Sequence, residues 1–522
     1  MKGSEHYSRR ALLRRGGIAA AAAPALLRAG GASSATPAPT TSVTYESIGV
    51  KPVINCRGTY TIIGGSLELP EVRAAQDVAA RHYVQLDELM DGIGKRLAEI
   101  TGAEWGMVSS GCAAALAHAT AACVAGGNPD LHVRLPDLTG FAKDEVIIPA
   151  HSRNVYDAAV RSTGIRVVEV ADVEQYERAL GPRVAMVYVL AGPNAEKGAL
   201  TYDDIYRLAQ ARNLPVLVDA AAEVLTIPNV HLKRGATLVA YSGGKCIRGP
   251  QCAGLLLGRK DLVRAAWMHS APHHGYSRSM KLGKEEAMGM LAAVEAWTRR
   301  DHQGEWNQWM GWLHTIGGRV ETIPGITTSI DEPTELSNHT PTLHIRWDTS
   351  KVGISGRDVE HTLFTSDPRI TLFGREDGVS IVAYMMAPGD DKVVADRLHA
   401  TLSAAPNGPV MNQAKPAAAD ISGEWDVHIT YLASETQHRV YIRQDGNRLE
   451  GTHQGDFVAR DLFGSIDGSA VRFHSDTTER HGQALSYTFT GTATSDSMEG
   501  DLDMGEYLKA KWSAKRHEFA RG

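Results

Sequence analysis

A chain of 522 residues is too long for one hydrophobic core at roughly 100–200 residues per domain, so several domains are expected. Hydrophobic residues make up 43% and charged residues 22%, as is ordinary for a soluble globular protein, and a net charge of -6 gives no basis for nucleic-acid binding by the whole chain. The five cysteines, at 56, 112, 123, 246 and 252, are too scattered for a disulfide framework or a zinc-type site, so no metal is expected.

The N-terminus reads as an export signal. Ser8-Arg-Arg-Ala-Leu-Leu-Arg-Arg15 precedes a short apolar stretch, Ala19 to Leu27. A basic region before a short apolar one is a signal-peptide pattern. Arg9-Arg10 followed by Leu12-Leu13 has the form of a twin-arginine signal. The apolar stretch falls short of the ~20 residues of a spanning helix. A periplasmic or secreted location and contact with the twin-arginine machinery are therefore expected. Residues 28–42 are rich in Ala, Gly, Ser, Thr and Pro and read as a linker.

From Tyr45 to about residue 300, apolar strand-like runs alternate with helical patterns. Val184–Leu190, Leu214–Asp219, Thr237–Tyr241 and Ala253–Gly258 are strand candidates without polar alternation, as in sheets buried on both faces. Thr201 to Arg212 reads as a helix with Thr201 as N-cap and Asp203 and Asp204 in its first turn. Such alternation implies an α/β fold with a mainly parallel sheet. Residues 282–316 look helical, with Trp297, Trp306, Trp309 and Trp312 expected as packing residues. A smaller α+β unit follows, with strands at Thr342–Trp347 and Val379–Ala383 and a helix from Asp391 to Leu402.

After a linker around Ala404–Ala419 the texture changes. Trp425–Tyr431, Arg439–Gln444, Ala470–His474 and Leu485–Phe489 alternate, with Asp445-Gly446, Asp467-Gly468 and Glu499-Gly500 expected as turns. Short alternating strands with Gly turns read as an antiparallel barrel or sandwich. The expected division is 1–42 signal and linker, 43–300 large cofactor-binding domain with an N-terminal arm, 301–403 small α+β subdomain, 404–419 linker, and 420–522 C-terminal β domain.

Four features of the large domain match the needs of pyridoxal phosphate, which requires a lysine, an acid for the ring nitrogen, a phosphate cradle and a stacking group. Lys245 stands in a glycine-rich turn after a strand, beside Ser242. Asp219 ends an apolar strand, where ligands bind in open α/β sheets. Ser110, Gly111 and Cys112 open a helix whose N-terminus suits a phosphate. His151 follows a short strand and could stack on the ring. Cys246 and Cys252, flanking the lysine turn, read as small packing residues.

The run Ser242-Gly-Gly-Lys-Cys-Ile-Arg-Gly-Pro-Gln-Cys-Ala-Gly254 resembles the lysine loop of the bacterial L-seryl-tRNA(Sec) selenium transferase group of fold type I. Val53–Ser66, Ile100-Thr-Gly-Ala-Glu104, Arg278–Glu285 and Ala387-Pro-Gly-Asp390 resemble its D-glucosaminate-6-phosphate ammonia-lyase branch. The resemblance covers about residues 45–403. It implies a fold-type-I large domain, a small subdomain, and a homodimer or higher oligomer with shared sites. It also implies Lys245 as Schiff-base residue, Asp219 at the ring nitrogen, and phosphate contacts from Ser110, Gly111 and Ser242. Arg278, Lys281 and Lys284 would reach phosphate or substrate, or else form a solvated charged segment.

The expected activity is a lyase removing ammonia or a β leaving group from an amino acid or amino-sugar acid through an α-carbanion at Lys245. A racemase or epimerase and a selenium-transferase-like replacement enzyme are the alternatives. Arg57, Arg248 and Arg369 all remain open as the substrate-carboxylate partner.

Overall fold

The computed structural model describes residues 43–406, 408, 414–478 and 484–518. Residues 1–42, where an export signal and a linker are expected from sequence, lie outside the described residues. The chain divides into two units, Met1–Pro52 and Val53–Gly522. In the first, the described residues hold one 3-10 turn, Glu46–Ile48, closed by Gly49.

In the second unit, β1 (Trp105–Ser109), β2 (Glu145–Pro149), β3 (Arg166–Val170), β4 (Val184–Leu190), β5 (Val216–Asp219), β6 (Leu238–Ser242) and β7 (Gly254–Gly258) form one sheet in the order β1-β7-β6-β5-β4-β2-β3. Neighbours from β6 to β3 are parallel, and β7 is antiparallel to both β1 and β6. Every residue of β2, β5 and β7 is buried, which is why these strands read as unbroken apolar runs. Helix α1 (Cys112–Ala125) is buried on nearly all sides, and its alanine-rich sequence is the kind that tolerates such packing. Helix α2 (Tyr202–Gln210) starts with a reciprocal cap between Thr201 and Asp204.

The expected helical run 282–316 is two helices, α3 (Lys284–Trp297) and α4 (His302–Val320). The break is chemical: the Asp301 carboxylate accepts from the Gly304 N–H at 2.9 Å and so restarts the helix. Strands β8 (Ile326–Asp331), β9 (Thr342–Trp347), β10 (Phe373–Arg375) and β11 (Gly378–Val382) form an antiparallel sheet ordered β10-β11-β9-β8. Its core joins Leu343, Ile345 and Ile381 to Leu313 and Ile316 of α4 and Val394 of α5 (Asp390–Ser403). Cys56 is fully buried in the same core, and Ile54–Asn55 pairs in parallel with Ile370–Thr371.

The C-terminal strands β12 (Gly423–Thr430), β13 (Glu435–Asp445), β14 (Arg448–Gln454), β15 (Ala459–Asp467), β16 (Ala470–Thr478), β17 (Ala484–Ala493), β18 (Ser497–Asp503) and β19 (Lys509–Arg516) close into an antiparallel barrel. Gly446 and Gly468 occupy turns at positive φ, as expected. Glu499-Gly500 does not form a turn. Gly500 sits inside β18, paired with Gly491 and Trp512. A Cβ there would lie 1.9 Å from the Thr490 carbonyl oxygen, so the glycine serves close strand approach rather than chain reversal.

Candidate active site

Strand register sets two rows of residues at the edge where α/β sheets bind ligands. Ser109, Gly254 and Ser242 lie side by side on β1, β7 and β6. Leu190, Asp219 and Ala240 do so on β4, β5 and β6. The first row abuts the Ser109-Ser110-Gly111 turn, where Gly111 is the N-cap of α1. A Cβ on Gly254 would stand 2.3 Å from the Gly111 carbonyl carbon and 2.6 Å from the Cys112 nitrogen. Only a glycine lets β7 pass so close to the start of the helix. The Ser110 hydroxyl donates to the Met280 carbonyl at 3.0 Å, tying this turn to the 278–284 segment.

Asp219 is 2% exposed. Its carboxylate accepts from the Tyr188 hydroxyl at 2.8 Å, the Ala221 N–H at 3.1 Å and the Cys112 thiol at 3.6 Å. Burial raises its pKa above the ordinary carboxylate value, against the pull of those donors and of the Lys245 charge. Burial and the Asp219 charge likewise push the Tyr188 hydroxyl and the Cys112 thiol well up. Tyr188 also accepts from Asn154 at 3.1 Å, so β4 and the loop after β2 hold the carboxylate jointly.

Lys245 lines a cavity of about 460 Å³ with Arg57, Tyr60, Ala222, Asn338 and Tyr384. The turn around it is fixed by backbone bonds: Gly243 N–H to the Ala253 carbonyl at 2.8 Å, Gly249 N–H to the Gly243 carbonyl at 2.8 Å, and Arg248 N–H to the Lys245 carbonyl at 2.9 Å. Arg57 is placed by Asn55, whose side-chain amide oxygen accepts from the Arg57 and Gly58 N–H groups at 2.9 and 3.0 Å. The Arg57 guanidinium lies over Phe373 at 4.7 Å and pairs with Glu360 at 3.2 Å, while its Nε has no partner among the described residues. Of the three arginines left open by sequence, Arg57 is the one lining the Lys245 cavity. Arg248 turns its Nε to the Leu67 carbonyl at 2.9 Å, and Arg369 lies over Phe364 at 4.9 Å.

His151 sits in a 3-10 turn after β2. Its Nε2 meets the Leu200 carbonyl at 3.2 Å and its Nδ1 the Ser152 hydroxyl at 3.1 Å. Ser152 in turn accepts from the Leu190 N–H, next to Asp219 across the sheet, at 3.0 Å. The ring is thus anchored near the second row, but its hydrogen bonds go to neither Asp219 nor Lys245. Lys284 donates to the Ala79 carbonyl at 2.9 Å and pairs with Glu285, whereas Arg278 and Lys281 are exposed. Cys246 donates to the Glu223 carbonyl at 3.2 Å, with its thiol pushed to about 11 by burial, which fits packing. Cys252 is exposed, which does not.

Three of the four tryptophans expected as packing also bound a second cavity of about 430 Å³. Trp306 stacks on His339 at 5.0 Å, Trp309 meets Tyr384 edge-on at 6.0 Å, and Trp297 donates to the Leu225 carbonyl at 2.7 Å. Tyr384 walls both cavities and shares a 2.7 Å hydrogen bond with Thr59. Tyr188 and Tyr384 are site residues that carry no signal in the sequence, whereas Arg57 is one of the three arginines left open there.

The donor set fits pyridoxal phosphate. A buried carboxylate with a raised pKa is stabilised by a cation beside it, which a protonated pyridine nitrogen is. A fourteen-residue helix offers its N-terminus next to a glycine-lined strand edge, which suits a phosphate. A lysine on the cavity wall supplies the amine.

Residues 146–276, which contain His151, Asp219 and Lys245, match the family model for aminotransferase class-V. The chain is 33% identical over 328 residues to a D-glucosaminate-6-phosphate ammonia lyase of Salmonella typhimurium, a match covering 61% of this chain and 86% of the relative. It is 33% identical over 298 residues to a 5'-C-glycyluridine monooxygenase-decarboxylase of a Streptomyces species, covering 54% and 72%. A solved structure of D-glucosaminate-6-phosphate ammonia-lyase superposes with a TM-score of 0.62 at 29% identity, covering 70% of this chain and 100% of that one.

Proposed function

Because the chain belongs to the family of fold-type-I pyridoxal-phosphate enzymes that includes D-glucosaminate-6-phosphate ammonia-lyase, we propose that it is a lyase removing ammonia or a β leaving group from an amino acid or amino-sugar acid. The observation that carries this reading is Lys245 on the wall of a substrate-sized cavity that Arg57 also lines, close enough to Asp219 for its charge to lower that carboxyl's pKa. When bound, pyridoxal phosphate supplies an electron sink that acidifies the proton α to the substrate amine. Lys245 Nζ would hold the cofactor covalently and is the amine placed to take that proton. Asp219 would keep the ring nitrogen protonated. The Gly111 and Cys112 backbone, with Ser110 and Ser242, would hold the phosphate, and His151 would be the group to cover the ring.

Arg57 takes the substrate carboxylate. Its planar fork suits bidentate pairing, and it enters the cavity already oriented by Phe373 and Glu360. Arg57→Ala is expected to raise KM about 100-fold and to change kcat by less than about tenfold, since both substrate and transition state keep the carboxylate. A kcat loss with unchanged KM would place Arg57 elsewhere in the chemistry.

The reaction itself is tested by incubating the full chain with pyridoxal phosphate and a panel of amino acids and amino-sugar acids in deuterated water. Ammonia and a keto acid are expected. Deuterium at the α carbon with no ammonia released means racemisation instead.

Arg9 and Arg10 direct the folded, cofactor-loaded chain through the twin-arginine route, and the exported enzyme works as a homodimer. Changing both arginines to lysine is expected to leave the protein in the cytoplasmic fraction of the cell. Unaltered export of that variant overturns the route, and a monomer by light scattering overturns the dimer.

A further inference from the structure

The barrel interior changes chemistry from one end to the other. At the end where β12 begins, the interior is apolar, with Trp425, Ile442, Leu449, Ile466 and Met498 buried together. At the end closed by the β12–β13 and β14–β15 hairpins, the inward positions are His438, His453, Arg460 and Ser475, at 4%, 0%, 7% and 0% exposure. Strand register makes this one layer: His453 faces Arg460 across β14 and β15, and Ser475 faces Tyr487 across β16 and β17.

Part of that layer is satisfied internally. His453 meets the Ser475 hydroxyl at 2.6 Å and His438 at 2.8 Å. Burial, His438 and Arg460 push His453 down to about 3, so it stays neutral. Burial lowers His438 too. The buried positive charge of the layer is therefore Arg460. Its guanidinium lies over the Tyr487 ring at 5.0 Å, yet Nε and Nη1 have no hydrogen-bond partner among the described residues. The nearby acid, Asp456, is half-exposed and feels the Arg460 charge, but its contacts go to the Thr436 hydroxyl at 2.6 Å and to His438 Nε2 at 3.5 Å. A buried guanidinium with open N–H groups is unfavourable unless something completes it. On the two hairpin turns at this end, Leu432 and Phe457 are 86% and 96% exposed.

We propose that this mouth of the barrel binds a small organic carboxylate, with Arg460 as its ion partner and Leu432 and Phe457 against its apolar part. The planar guanidinium fork matches a carboxylate in geometry. An eight-stranded barrel with a filled interior leaves room for a small ligand at its mouth rather than through it. The site is separate from the Lys245 cavity and does not depend on the reaction proposed there.

The test is calorimetric titration of the full chain with benzoate and, separately, inorganic phosphate, alongside thermal melts. Arg57→Ala serves as background, so that a carboxylate in the catalytic cavity does not contribute. Benzoate is expected to bind that background with a Kd of about 1 mM or tighter. Adding Arg460→Gln is expected to weaken binding at least about tenfold, or 1.4 kcal/mol. The ligand-free Arg460→Gln chain is expected to melt no lower than its parent, because an unpaired buried charge has been removed. Absence of benzoate binding, binding of phosphate alone, or benzoate affinity unchanged by Arg460→Gln overturns the proposal. So does a lowered melting temperature in that variant with no loss of affinity, which makes Arg460 a packing residue.

Discussion

Lys245→Ala is expected to abolish turnover, with a loss of about 10⁴-fold or more in kcat, because one amine serves as both covalent anchor and proton acceptor. The fold should survive the change. The turn that carries Lys245 is held by the backbone bonds of Gly243, Arg248 and Gly249, not by the lysine side chain. The phosphate cradle of Gly111 and Cys112 lies on a different element, so the variant should still take up pyridoxal phosphate, though reversibly. Borohydride reduction followed by mass spectrometry of the peptides separates the outcomes. In the parent chain the cofactor is fixed to Lys245; in the variant it is fixed nowhere and is lost on dialysis. Attachment in the parent chain to another lysine, such as Lys281, sinks the assignment.

Lys245 and Asp219 were legible in the sequence because each ends a local pattern. An apolar run stops at a carboxylate, and another stops at a glycine-rich turn; no knowledge of strand pairing is needed to see either. Tyr188 was not legible. It stands inside Val184–Leu190, where an aromatic residue reads as core, and it reaches Asp219 only because β4 and β5 are neighbours in register. Arg57 was one of three equal arginines, since its place in the cavity comes from the Asn55 turn and from Phe373, more than three hundred residues away. The tryptophans of α3 and α4 were read from helical spacing, which distinguishes buried faces from exposed ones but not a packed face from one bordering a cavity. The C-terminal alternation had the same kind of limit. A closed barrel and a sandwich bury alternate residues alike, and only the pairing of β12 with β19 decides between them. Gly500 misled for a related reason: a glycine after an acid is a turn signal along the chain, while its cause here lies on the adjacent strand.

Asp219→Asn is expected to separate stability from catalysis. The Asp219 carboxyl titrates above the ordinary carboxylate range because burial outweighs the donors around it. Without cofactor, the folded chain therefore holds that proton more tightly than the unfolded chain does. The stability contributed is complete below the ordinary carboxylate range and is lost as pH rises through the raised value. An asparagine keeps one oxygen to accept from the Ala221 N–H and turns its NH2 to the Tyr188 hydroxyl oxygen in place of the second carboxylate oxygen, and it carries no charge. The cofactor-free variant should thus be more stable than the parent at neutral pH, by roughly 1 kcal/mol, with the difference closing as pH falls. Binding of pyridoxal phosphate should reverse the order, since only the parent gains a buried ion pair with the ring nitrogen. Turnover should fall about 100- to 1000-fold, in the range of removing one preorganised charge partner. Thermal melts across pH, with and without cofactor, together with ammonia release, read all three effects. A cofactor-loaded variant that turns over within about tenfold of the parent would show that the ring nitrogen does not depend on Asp219, and the buried carboxylate would then need another partner in this site.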